Sequence, residues 1–131
     1  MTNQQPAQPQ LITSVQLHAK EWFDRPAGNT YHAVRIQVNG HLVATLPFDY
    51  GSGDMYHHNA LKWLQGAGIV DADQTSGSFH LMIVNGEQVP VYHVLEPSRA
   101  QKDVKRWGTN DGVREVLETD ATGLFTFSEY K

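Results

Sequence analysis

Apolar and polar residues alternate through residues 31–38, placing Val34, Ile36 and Val38 on one side of an extended chain and Arg35 and Gln37 on the other. Asn39-Gly40 breaks the pattern before His41-Leu42-Val43-Ala44-Thr45-Leu46. The same punctuation recurs at Asn85-Gly86, between Leu81-Met82-Ile83-Val84 and Val89-Pro90-Val91. Both central positions of a type I′ turn need positive φ, which Asn and Gly tolerate, so each pair predicts a β-hairpin. A two-residue turn also fixes register. It sets Val38 opposite His41, Ile36 opposite Val43 and Val34 opposite Thr45 in the first hairpin, and His80 opposite Val91 in the second. Ala33, Arg35, Gln37, Leu42, Ala44 and Leu46 make a second, partly covered face of the first hairpin.

Between the hairpins, Asp49-Tyr50-Gly51-Ser52-Gly53-Asp54 leads into a segment with Met55, Ala60, Leu61 and Leu64 at helical spacing and Trp63 nearby. Asp54 is a good N-cap type, and Gly66 and Gly68 are stop signals. This predicts a helix over residues 55–65. Residues 71–78 read as a polar loop. Short helices are expected over 98–106 and 112–118, and a last strand over 124–127. Residues 2–10 hold two prolines and no large apolar side chain, so residues 1–10 are expected to be a disordered tail on a single domain, 11–131. The expected fold is α+β: an antiparallel sheet built from two β-hairpins, with one main helix packed on it.

A chain of 131 residues, 40% hydrophobic, suffices for one core. It has no cysteine, which excludes disulfides, thiolate metal sites and thiol catalysis. A net charge of −4 argues against a general nucleic-acid coater. No run approaches the ~20 apolar residues of a membrane span, and no signal peptide is recognisable. The expectation is a cytoplasmic protein without membrane attachment and without a cofactor.

Common catalytic signatures are missing, among them the phosphate-binding Gly-rich loop and His-Glu-x-x-His. The densest polar and aromatic cluster runs from Phe48 to His58. Glycines ahead of a helix start leave backbone N–H groups for an anion, and Tyr50 and Tyr56 offer stacking surface. Asp54 as a cap would occupy the same N–H groups, which is the structural alternative. Asp54, His57 and His58 have the spacing of a carboxylate–imidazole pair on one helix face, suited to a metal or to acid–base work, although an evident further ligand is missing. His80 and His93 fall as diagonal neighbours on one hairpin face, and Pro90 complicates that register. Arg99, Lys102, Lys105 and Arg106, with Trp107 adjoining, would form a basic face if 98–106 is helical, diluted by Glu96 and Asp103.

The segment Trp22-Phe23-Asp24-Arg25-Pro26-Ala27-Gly28-Asn29-Thr30-Tyr31-His32, followed by Tyr50-Gly51-Ser52-Gly53-Asp54-Met55-Tyr56, resembles a group of small, uncharacterised bacteriophage and prophage proteins. The resemblance spans roughly residues 18–65 and 103–106, and departs at Trp107-Gly108. It implies a phage origin and carries no established activity. The candidate ligand-binding residues are Trp22, Asp24, Asn29, His32, Tyr50, Gly51, Gly53, Asp54 and Tyr56, which would make an aromatic-walled pocket if they converge. Asp24 and Asn29 also suit a turn between residues 24 and 30. The leading expectation is a non-catalytic phage accessory protein, acting against host defence by sequestering a host protein or a small nucleotide-like ligand. One alternative is a small metal-assisted or acid–base hydrolase using Asp54, His57 and His58. Another is a nucleic-acid-associated factor using Arg99, Lys102, Lys105 and Arg106.

Overall fold

The computed structural model describes residues 10–51, 53–72, 74, 80–108, 114–118 and 124–129, with only the backbone described for 114–118 and 126–129. Along the chain run β1 (Val15–Asp24), β2 (Asn29–Val38), β3 (His41–Tyr50), α1 (Met55–Gly66), β4 (Leu81–Val84), β5 (Glu87–Ser98), α2 (Gln101–Trp107), β6 (Arg114–Glu118) and β7 (Phe125–Glu129). Five strands form one sheet in the order β3-β2-β1-β5-β4, and β6 and β7 pair separately. The fold is α+β, but its sheet is mixed. β1 runs antiparallel to β2 and parallel to β5, so the expected all-antiparallel sheet of two hairpins is corrected by a central strand between them.

The Asn39-Gly40 and Asn85-Gly86 turns take positive φ at all four residues, 52° and 82° in the first and 54° and 79° in the second. Each is held by a polar side chain or carries one that is used. The Asp71 carboxylate accepts from the Asn85 and Gly86 N–H groups, while Asn39 Oδ1 accepts from the N–H groups of Thr13 and Ser14. The first register departs from expectation. Val38 faces His41, but Ile36 faces Ala44 and Val34 faces Leu46, because Val43 is an extra residue in β3. The bulge lets the consecutive residues Val43, Ala44 and Thr45 all be buried, which strict alternation forbids. In the second hairpin the Val91 N–H donates to the His80 carbonyl at 2.8 Å, as that register requires.

Val15, Leu17 and Ala19 of β1, Val34, Ile36 and Val38 of β2, and Val91 of β5 lie on one sheet face and are buried. Ala60, Leu61 and Leu64 of α1 close this core. The helix presents His57 inward as well, while Met55 is 40% exposed. Asp54 stands at the N-cap position without a side-chain cap bond; its carboxylate lies 3.4 Å from His58 Nε2 instead, which corrects the expected cap.

The opposite sheet face is covered by α2 through Trp107. Its indole N–H donates to the His18 carbonyl at 2.7 Å, and Lys20 Nζ and Arg35 Cζ lie 4.4 and 3.9 Å from the ring centroid. Gly108 follows because a Cβ there would sit 2.9 Å from Pro47 Cα.

Of the expected helix over 112–118, residues 114–118 form a strand and 112–113 lie outside the described residues. The β6 backbone pairs antiparallel with β7, Val116 opposite Phe127, and strand pairing overrides the local helical preference of Arg-Glu-Val-Leu-Glu. Gln10 is bridged to Phe125 by two backbone bonds of 2.7 and 2.8 Å; the rest of the expected tail, residues 1–9, lies outside the described residues, as does most of the 71–78 loop. Among the described residues, no helix is long and apolar enough to cross a membrane.

Candidate functional site

Strand pairing gathers most of the predicted site residues at one end of the sheet and then divides them between its faces. Trp22 pairs with Tyr31, Tyr31 with Tyr50, and Asp24 with Asn29 at the β1–β2 turn. Paired residues share a face, so Trp22, Tyr31 and Tyr50 stand on the α2 side, and His32, one residue on, points to the α1 side.

On the α1 side the polar groups satisfy one another. His32, 3% exposed, has Nδ1 at 3.0 Å from the Gly51 carbonyl and Nε2 at 3.1 Å from Asn59 Nδ2. A carbonyl only accepts, so Nδ1 carries the proton and Nε2 accepts from the Asn59 amide. Gly51 is buried, with φ of 142°, and a Cβ there would meet Met55 Cγ at 2.6 Å; a side chain rather than a ligand takes the space beside it. Gly53, φ 65°, faces open space at the turn before α1. Tyr56 is 4% exposed. Burial first, then the charges of Asp54 and Glu21, raise its pKa, and its hydroxyl is hydrogen-bonded to His93 Nδ1 at 3.0 Å.

Around this bond sits an imidazole cluster. His93 has its ring centroid 5.4 Å from that of His57 and 6.0 Å from that of His80. His57 is 1% exposed, and its pKa is lowered to about 4, mainly by burial, then by His93 and His58, with Asp54 opposing and His80 adding slightly. The predicted trio of Asp54, His57 and His58 therefore does not act as one group: His57 points into the core, and Asp54 and His58 pair at the surface. Among the described residues no three His, Asp or Glu side chains are grouped to hold a metal ion.

On the α2 side, aromatic rings form a row across three strands. Phe48 stacks on Tyr31 (centroids 4.9 Å apart, planes at 11°), and Tyr31 stacks on Trp22 (5.9 Å, 28°). Tyr50 meets Tyr31 edge-on at 5.7 Å and is 61% exposed. Lys105 Nζ lies 5.3 Å from the Phe48 centroid at the outer end of the row. Both faces of Tyr31 are consequently occupied. The opposite end, at Trp22, opens onto a groove of about 650 Å³ lined by Trp22, Phe23, Arg25, Pro26, Ser98 and Arg99.

The parallel pairing of β1 with β5 makes that groove. It sets Trp22, two residues before the end of β1, opposite Ser98, the last residue of β5, and Arg25 of the β1–β2 turn and Arg99 after β5 both line the groove. No ion pair among the described residues involves either arginine. Of the expected basic face, Arg99 precedes α2, and Lys102, Lys105 and Arg106 are exposed on it. Sequence reading passes over Arg25, Pro26 and Ser98 as site residues; Trp-Phe-Asp-Arg-Pro was the available signal for the first two.

Compared with known proteins, the chain matches no family model, no curated protein and no solved structure.

Proposed function

We propose that this is a non-catalytic binding domain that holds a small nucleotide-like ligand in the groove beside Trp22. The observation that carries the reading is the pairing of an indole wall with Arg25 and Arg99, neither ion-paired among the described residues, in a chain of net charge −4. Guanidinium groups without carboxylate partners favour an anion, and a planar ring stacks on an indole. About 650 Å³ falls in the range of small-ligand sites. The phage setting, and action against a host defence in the bacterial cytoplasm, are inferred from the resemblance of residues 18–65 and 103–106.

The stacked row supports a small ligand over a nucleic-acid strand. Tyr31 lies between Trp22 and Phe48, so successive bases have no free central ring on which to stack. The separation of buried His57 from the Asp54–His58 pair likewise favours binding over hydrolysis.

Titration calorimetry with AMP, ADP and GMP tests the proposal. At least one should bind saturably to the wild type, and Trp22→Ala should weaken it about 5- to 100-fold, the worth of one base–aromatic stack. Absence of binding by all three nucleotides, or full affinity in Trp22→Ala, would refute it.

A further inference from the structure

The row of rings stops one strand short. Phe48, Tyr31 and Trp22 occupy β3, β2 and β1 in turn, and the next position across the sheet is Ser98 of β5, opposite Trp22. The Ser98 side chain is small and turned to its own backbone: Oγ donates to the Ala100 carbonyl at 3.2 Å and lies 3.4 Å from the Ala100 N–H. Trp22 and Ser98 line the same groove, and the small Ser98 side chain brings no ring to continue the stack there; a planar ligand ring can stack on an indole in its place. Arg25 and Arg99 line the groove from two different segments, the β1–β2 turn and the residues between β5 and α2.

We infer that the groove is built for a nucleoside monophosphate, its base taking the fourth place in the Phe48–Tyr31–Trp22 stack and its terminal phosphate lying between Arg25 and Arg99. This rests on the nucleotide-binding reading above and deepens it. Charge decides between phosphate types. A phosphomonoester carries about −1.5 to −2 at pH 7, matching two guanidinium groups, and presents three acceptor oxygens to their forked donors. A phosphodiester carries one charge and leaves one guanidinium uncompensated. The requirement for two charges also gives the site a pH dependence: affinity for a monophosphate falls as pH drops through about 6, where the phosphate dianion takes up a proton and becomes a monoanion.

The test compares AMP, adenosine 3′,5′-cyclic monophosphate and adenosine by calorimetry on the full chain at pH 7.5, with Arg25→Gln and Arg99→Gln alongside. AMP should bind best, the cyclic diester about tenfold or more weaker, and adenosine weaker still, because each bond to a charged group lost costs at least that factor. Each arginine variant should lose about tenfold for AMP and nothing for adenosine, with an unchanged circular dichroism spectrum. Equal affinity for AMP and the cyclic diester would overturn the monophosphate assignment while leaving nucleotide binding intact. Failure of all three ligands to bind the wild type would overturn this inference, and failure of ADP and GMP as well would overturn nucleotide binding.

Discussion

Acid should destabilise this fold through one side chain. His57 lies on the first turn of α1, 1% exposed, against His93 of β5, and its pKa falls from 6.5 to about 4 in the folded chain. The sign follows from which state takes up the proton. Between these values the unfolded chain protonates at residue 57 and the folded chain does not, so the stability present above pH 6.5 is lost as pH falls and stops being lost, for this group, below about 4. The difference corresponds to about 3 kcal/mol, at most ~1.4 kcal/mol per pH unit. Urea unfolding followed by tryptophan fluorescence at pH 7.5, 6.5, 5.5 and 4.5 measures it. His57→Leu keeps an apolar filling at the site and removes the titration. Carboxylates titrate in both proteins, so the difference between the two pH profiles isolates residue 57. The variant should lose about 2.5 kcal/mol less than the wild type on going from pH 7.5 to 4.5. Parallel profiles for the two proteins would refute the assignment of acid sensitivity to His57.

Further substitutions probe the frame around the sites. Gly51→Ala places a Cβ 2.6 Å from Met55 Cγ at a φ of 142° and should cost about 1–3 kcal/mol in urea unfolding, more than Gly53→Ala, where the space is open. Tyr56→Phe removes the hydroxyl bonded to His93 Nδ1 and should cost about 1 kcal/mol while leaving nucleotide affinity unchanged, since it lies across the sheet from the groove. Trp107→Ala deletes the ring between Lys20 and Arg35 and the bond to the His18 carbonyl; a loss of about 3 kcal/mol is expected, with a weakened near-ultraviolet dichroism signal.

What the sequence discloses here is local. Asn39-Gly40 and Asn85-Gly86 announce their turns because φ is a property of the residues themselves, and the 55–65 helix is visible from the spacing of Ala60, Leu61 and Leu64. The central strand is harder to see. Val15, Leu17 and Ala19 alternate, but the parallel partner of Val15 is Val91, and no local turn marks a pairing over such a separation. The groove inherits this difficulty: Arg25 and Arg99 come to line one groove only through the β1–β5 register. The β3 bulge escapes a reading by strict alternation because Val43, Ala44 and Thr45 are buried in sequence. Trp22, Asn29, His32 and Tyr50 do gather at one end of the sheet, but pleating sends His32 and Tyr50 to opposite faces.

The most direct test of the central claim is an amide and indole NMR titration of the ¹⁵N-labelled protein with AMP. Saturable shifts confined to the amides of residues 22–25 and 98–99, together with the Trp22 indole N–H, are the expected result, with residues 50–58 unmoved. Shifts centred on Tyr50, Gly51 and Asp54, or no shift at millimolar AMP, would contradict it.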